Sequence, residues 1–592
     1  MRLPHKQISS DIRSTAIRIR FWYAVLLLVM GVFIIRLFFL QIIKHDYYKK
    51  VALQGQLKEY EIKAERGIIS AHDGKNTIPI VLNETKYTLF ADPKFITNHD
   101  SVGIALQQII GGNANDYVTK MKLKTRYSVL AKKLSKEQKD KISKLDYKGI
   151  GLREESYRTY PQGQLAAQLL GFVNEDGEGK YGIEQALGND LKGVPGELKA
   201  ITDAQGVPLV TNTDNIITEP KIGKRVLLTL DISMQKQVED ILKAGLDAAK
   251  SKSGSVIVMD PNSGAIKAMA NFPSYNPAEY FKVEDGNVFN NDSVSSPLEV
   301  GSVMKVLTAA AALDKGLVTR NTSYYDPSFY KIDGFKITNV EEDGGAGQHN
   351  IADILRLSLN TGATWLLMQM GGGEVNLKAR MTWNDYMVNH YNFSKATGIE
   401  QGFEAEGTIP DPKNGYGLNL QYANTAFGQG MTATPLQLGA ALSSVINGGS
   451  YYRPHLVDQT TDSDGKVTIK KPEVLNQYVV KPDVSNDIRS LMEETVQKNH
   501  TFYGLPNLRS EYAVGGKTGT AQISKPGGGY YSDKFNGTFI GYVGGDRPQY
   551  VIIVRVNDPK TNGYAGARTA APIFSNVTNM LIDNFGVTPK GQ

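Results

Sequence analysis

The chain has 592 residues, 41% of them hydrophobic, material for about two to four domains with sizeable cores. Charged residues make up 21%, which excludes wholesale disorder, and a net charge of +6 without a concentrated basic face gives no basis for nucleic-acid binding. Cysteine is absent, which excludes disulfides, thiolate nucleophiles and cysteine-ligated metals.

Phe21 to Ile43, "FWYAVLLLVMGVFIIRLFFLQII", exceeds the roughly 20 apolar residues a bilayer crossing needs. Its one charge, Arg36, lies near the C-terminal end, where a long side chain can snorkel. The run is too long for a cleaved signal peptide and lacks a small-x-small exit, so it reads as an uncleaved anchor. Arg2, Lys6, Arg13, Arg18 and Arg20 precede it, and Lys44, Lys49, Lys50, Lys58 and Lys63 follow. Charge alone therefore does not orient it. The expected organisation is a tail over 1–20, a transmembrane helix over 21–43, a stalk and second module over 44–222, and a larger module over 223–592.

Beyond the anchor, a polar stalk leads into short strands ("GIIS", "PIVL", "KYTLFA"), a solvated helix ("SKEQKDKISKL") and turn-rich β structure ("GVPGELKAITDAQGVPLV"). The larger module opens with a strand, Asp231 as N-cap, and an amphipathic helix. Two β runs follow around a Pro-Asn-Ser-Gly turn. Near the end, "EYAVGGKTGTAQ", "GTFIGYVGG" and "QYVIIVRVND" predict an antiparallel meander. Helical patterns lie between these blocks, so the sheet draws strands from both ends of the module.

"EVGSVMKVLTAAAAL", Glu299 to Leu313, places Ser302 and Lys305 on one helical face at the mouth of a helix with almost no polar side. A serine hydroxyl is a weak nucleophile until a base takes its proton. An ammonium shielded from water beside a second cation sheds its proton more readily, so Lys305 would be neutral at working pH and serve as that base. Ser358 and Asn360, in the apolar and helical "LSLNTGATWLL", need partners that an active-site relay would supply. "GGKTGTAQ" reads as an edge strand whose glycines admit a substrate backbone. Lys517 is the second cation, and the Ser302 and Thr520 amides are candidates for an oxyanion pair.

Each motif has decoys. S-x-x-K also begins at Ser233, Ser328 and Ser463, S-x-N also occurs as "SYN", and K-[ST]-G also occurs as "KSG". Those copies fall on solvated faces, turns or loops. "GEGKYG", Gly177 to Gly182, has the form of a dinucleotide fingerprint, but Glu175, Asp176 and Glu178 would repel a pyrophosphate and no βαβ periodicity surrounds it. The histidines never fall within five residues of one another, so no local H-x-x-x-H pair is offered to zinc.

The set S-x-x-K, S-x-N and K-T-G, in this order, is that of β-lactamases and penicillin-binding proteins. With "RGII" from Arg66, "YPQGQLAAQLLGFVNEDGEGKYGIEQALGNDLKG" from Tyr160, "NFPSYNP", "FGQGMTATPLQLGAAL" and "NGGSYYRPHLV", nearly the whole chain resembles a class B penicillin-binding protein. The resemblance implies an anchored peptidoglycan D,D-transpeptidase with an α+β pedestal ("dimerisation") domain. Its C-terminal transpeptidase domain would be α/β, an antiparallel sheet flanked by helices. It makes Ser302 the acylated nucleophile and Lys305 its base. Ser358 and Asn360 would relay protons and orient the peptide, and Lys517, Thr518, Gly519 and Thr520 would receive the substrate. Implied partners are stem peptides, β-lactams, the membrane and a separate glycan polymerase, with no cofactor or metal and the catalytic domain outside the cytoplasmic membrane. The chain departs at "SAHDG", where Ala71 and His72 replace the usual D-R, and at Leu359, the middle of "SLN". The rivals are a carboxypeptidase or β-lactamase, which must deacylate with water though no E-x-x-L-N is present, and a non-catalytic antibiotic sensor or scaffold.

Overall fold

The computed structural model describes residues 11–201, 216–340, 345–501, 509–525, 527–561 and 565–591. The first ten residues of the expected tail and the part of the turn-rich β stretch from position 202 to its end at 210 lie outside these. Contacts divide the chain into two compact units. One comprises the residues to Ala64 together with Val194–Lys221, the other Glu65–Gly193 together with Ile222–Gln592.

In the first unit, a helix over Asp11–Phe38 continues through a π-turn over Phe39–Ile43. Its apolar segment Ile17–Ile43 has 27 residues and a mean hydropathy of 2.6, and none of it is buried in protein. At 1.5 Å per residue it is about 40 Å long, enough to cross a bilayer. The polar stretch after it is a helix, His45–Gln56, and then a strand, Leu57–Ile62. That strand pairs antiparallel with Gly196–Ile201, which in turn pairs with Ile216–Thr218.

In the second unit, a mixed sheet joins residues from both sides of position 222. Its order runs Val467–Ile469, Val457–Thr461, Arg225–Asp231, Ile69–Asp73, Asn76–Ala91 and Ser128–Leu134, and Ile150–Thr159 also pairs with the long Asn76–Ala91 strand. Arg225–Asp231 lies parallel to Ile69–Asp73. Asp231 then caps the Ile232–Ala249 helix, its carboxylate accepting from Met234 N at 2.9 Å. At the departure from the family pattern, Ala71 is fully buried and His72 Nε2 lies 2.9 Å from Asp458 Oδ2. A buried cluster lies behind it, where Glu184 accepts from Arg66 Nε at 2.6 Å and from Arg158 Nε at 2.7 Å.

The five-stranded antiparallel sheet runs in the order Ile266–Phe272, Ser253–Met259, Pro548–Asn557, Tyr530–Gly544, Ala513–Ser524. The expected terminal meander is therefore present, with the K-T-G strand at the edge. Alternate residues explain why these strands read as unbroken apolar runs. Val256 and Val258 pack with Val238, Leu242, Phe574 and Leu581 of the flanking Ile232–Ala249 and Ala571–Asn584 helices. Ile257 and Met259 belong instead to the core of the opposite face, with the Met304–Asp314, Pro435–Ile446 and Pro482–Asn499 helices. Both faces are covered, so polar alternation disappears.

Candidate active site

Gly301, at φ +65°, turns the chain into a single 3-10 turn, Gly301–Val303, from which the Met304–Asp314 helix continues. Every residue from Met304 to Leu313 is buried, Lys305 completely. The turn is pressed between two other segments. A Cβ on Gly301 would stand 2.8 Å from Thr520 O, and one on Gly428 would stand 2.1 Å from Gly301 O. Only glycine permits these approaches, and they set the Ser302 turn against the K-T-G strand.

Lys305 Nζ lies 2.8 Å from Ser302 Oγ, 3.2 Å from Ser358 Oγ and 2.8 Å from Asn360 Oδ1, and it also donates to the Ser358 carbonyl. Lys517 Nζ donates to Ser358 Oγ at 3.0 Å and to Thr518 O at 3.0 Å, with Thr518 Oγ1 at 3.4 Å. The structure thus brings Ser302, Lys305, Ser358, Asn360, Lys517 and Thr518 into one connected group. Gly519 and Thr520 follow on the same strand. Gly519 packs so closely that a Cβ would meet Thr538 Oγ1 at 2.2 Å, and the Thr520 hydroxyl accepts from Gly566 N at 3.1 Å.

One expectation needs correcting. Ser358 is not inside a helix but between two, Ile351–Arg356 and Asn360–Gly371, and has φ +60°. A left-handed serine costs roughly 1–2 kcal/mol. Here that conformation lets the carbonyl and the hydroxyl of one residue both reach the same amine.

The decoys fall away. Lys236 is 67% exposed on its side chain and pairs with Asp240, while Ser233 donates to Asp73. Ser274 donates to Gln164 O and Asn276 caps a short 3-10 turn. The glycines of "GEGKYG" span a small hairpin in which Lys180 pairs with Glu178. Among the described residues, no group of three or more His, Cys, Asp or Glu side chains could hold a metal.

The sequence reading missed two contributors. Glu299 Oε1 accepts from Tyr530 OH at 2.8 Å and from Gly430 N at 3.1 Å, tying the K-T-G hairpin and the "GQG" loop to the segment that leads into Ser302. Burial pushes the Glu299 carboxyl above its usual range, partly offset by these two donors. Phe427 presents its ring 6.0 Å from Lys305 Nζ. Glu299 stood at the head of the quoted motif, but nothing local showed what it would meet.

A buried lysine in contact with a serine at a helix start, faced by an edge strand bearing a second lysine, defines a serine enzyme of the acyl-transferring kind. The chain belongs to the penicillin-binding proteins. Residues 254–579 match the Penicillin binding protein transpeptidase domain, and residues 61–228 the Penicillin-binding Protein dimerisation domain. It is 31% identical over 580 residues to stage V sporulation protein D of Bacillus subtilis, covering 96% of this chain and 86% of that one. It is 27% identical over 576 residues to the peptidoglycan D,D-transpeptidase FtsI of Escherichia coli K12, covering 95% and 91%. The fold is similar to that of penicillin-binding protein 2X from Streptococcus thermophilus, with a TM-score of 0.71 and 23% identity over 89% of this chain and 80% of that one.

Proposed function

We propose that Ser302 is the nucleophile of a D,D-transpeptidase that cross-links peptidoglycan stem peptides. The observation that carries this is the convergence of the three motifs on one hydroxyl and one buried amine, with Lys305 Nζ 2.8 Å from Ser302 Oγ. A neutral amine has two N–H donors and one lone pair. The Ser358 carbonyl and Asn360 Oδ1, which can only accept, suit the two donors. The lone pair then suits the proton of the Ser302 hydroxyl 2.8 Å away.

In this reading Lys305 takes that proton as Ser302 Oγ attacks the carbonyl of the penultimate D-Ala. The Ser302 amide, at the start of the buried helix, and the Thr520 amide, beside Gly301, receive the oxyanion. The peptide C–N bond breaks and D-alanine departs with a proton relayed through Lys305 and the Ser358 hydroxyl. Lys517, held 3.0 Å from that hydroxyl, supplies the cation that keeps this relay poised and receives the substrate carboxylate with Thr518 and Thr520. An amine of a second stem peptide then attacks the ester carbonyl, forms the cross-link and returns the proton to Ser302. β-Lactams enter the first step as substrate mimics.

The long apolar segment Ile17–Ile43 supports a single-pass anchor in the cytoplasmic membrane, with the catalytic part outside, where its substrate is. The functional division is taken at 222/223, with pedestal before it and transpeptidase after. A separate membrane glycan polymerase provides the strands to be joined. The test is mass spectrometry of the intact chain after incubation with penicillin. A stable adduct on the peptide containing Ser302 is expected. Rapid turnover of penicillin without an adduct would assign a hydrolase instead.

A further inference from the structure

The side-chain amide of Asn360 can face Lys305 with its oxygen or its nitrogen, and the groups that decide between them lie outside the three motifs. Nδ2 of Asn360 donates to Thr338 O at 3.0 Å. A carbonyl only accepts, so the amide oxygen is the end turned towards Lys305.

The next residue is held in the same way. The Asn360–Gly371 helix has no side-chain cap from its own N-cap position, Leu359. Its Thr361 amide donates instead to Asn339 Oδ1 at 3.0 Å, a cap supplied by a different segment. The Asn339 amide is fixed in turn, because its Nδ2 donates to Asp326 Oδ2 at 3.2 Å. Asp326 closes the Ser323–Asp326 strand and is fully buried. It also receives the Ser328 amide at 2.8 Å and the Thr361 hydroxyl, which lies 2.9 Å from Asn339 Oδ1 as well. Adjacent Thr338 and Asn339 thus hold adjacent Asn360 and Thr361, and Asp326 sets the second pair.

Among the described residues Asp326 makes no ion pair, and burying a carboxylate without a counter-charge is costly. A carboxylate has one property no neutral side chain of its size shares: both oxygens accept and neither donates. At this site that property leaves Asn339 a single orientation, with its oxygen towards the helix start.

We propose that Asp326 is a positioning residue for acylation. Through Asn339 and Thr361 it locks the start of the helix that carries Asn360, so that Asn360 offers Lys305 an acceptor and not a second donor. This rests on the reading of Lys305 as the base for Ser302. With Asn360 turned over, its NH2 would compete for the lone pair that must accept the serine proton.

The test is stopped-flow acylation of the full chain in detergent micelles by a fluorescent penicillin, separating non-covalent dissociation from the acylation rate constant. Thr361→Val removes the hydroxyl at nearly constant shape, Thr361→Ser keeps it, and Asp326→Asn replaces one acceptor by a donor. The expected result is an acylation rate constant lowered about tenfold or more in Thr361→Val and Asp326→Asn, the loss that imperfect placement of a reacting group produces. The dissociation constant should stay within about twofold, and Thr361→Ser should keep near wild-type rates. The proposal is overturned if Thr361→Val keeps its rate, if the loss falls on dissociation, or if Thr361→Ser fails as badly as Thr361→Val. A Thr361→Val chain without a cooperative melting transition also overturns it, since the contact is then structural; Thr361→Val decides even if Asp326→Asn fails to fold. Lack of acylation in the wild-type chain would overturn the site reading as well, whereas acylation there with an unaffected Thr361→Val overturns only this inference.

Discussion

Lys305, on a buried helix, and Lys517, on an edge strand, reach the same hydroxyl, Ser358 Oγ, at 3.2 and 3.0 Å. One oxygen thus links the amine beside Ser302 to the amine of the K-T-G strand. Ser358 also donates nothing to its own helix, having none to belong to.

Lys305→Met keeps most of the buried volume and removes the amine. Acylation by penicillin should fall by about 10²–10⁴-fold, the usual worth of a positioned base. The Ser358 carbonyl and Asn360 Oδ1 lose a donor, so the thermal midpoint should also drop, by an amount corresponding to about 1–3 kcal/mol. Fluorescent penicillin labelling and a melting curve measure the two effects separately.

Ser358→Gly should divide strain from chemistry. Glycine adopts φ +60° freely, so the variant should melt close to wild type although it has lost a hydrogen-bonding hydroxyl. Its acylation rate should nevertheless drop at least tenfold, because neither amine retains its bridging oxygen. A variant that acylates normally would remove Ser358 from the relay.

Gly428→Ala places a methyl 2.1 Å from Gly301 O at a backbone φ of +82°. A carbonyl cannot swing away as a side chain can, so the nucleophile turn must shift as a unit. Acylation should fall more than a hundredfold, as it does when reacting atoms move by about 1 Å. The same substitution at Gly465, which has open space around it, serves as the control for a positive-φ glycine away from the site.

Glu299 gives a pH signature. Burial raises its carboxyl above the ordinary value, so the folded chain binds that proton more tightly than the unfolded chain. Its contribution to stability is complete below the ordinary glutamate value and is lost as pH rises through that value towards the raised one. Glu299→Gln carries no such titration and can still accept from Tyr530. The thermal midpoint of the variant relative to wild type should therefore climb as pH rises from the ordinary glutamate value to the raised one and then level off. A constant difference across that range would contradict the assignment.

Much of this site was legible before any coordinates. The three motifs point to one another because each places a polar group where the surrounding residues are apolar, and buried polar groups need partners. The terminal meander and the Asp231 cap follow from local patterns. What could not be read depends on residues far apart in the chain. The left-handed turn at Ser358 interrupts a run whose composition is helical throughout, and the contact with Lys305 accounts for the interruption. "PIVL" and "KYTLFA" read as separate short strands, yet Asn76–Ala91 is one strand, with the intervening Asn83, Glu84 and Thr85 partly or fully exposed. The parallel pairing of Ile69–Asp73 with Arg225–Asp231 has no local signal at all.

That parallel pairing ties the Ile69–Asp73 strand to one more than 150 residues further along the chain. A tether clipped to the outside of a domain can be severed and leave the rest intact. Here the severed ladder would leave raw strand borders on both fragments, ready to stick to whatever strand came next. Tension along Ile69–Asp73 would load the ladder in shear, spread over its hydrogen bonds at once. It would be felt at Asp231, whose carboxylate also receives the Gly74 amide at 3.1 Å. Residues far apart in the sequence are thus stitched together by main chain, and a break in either strand would be felt in the other.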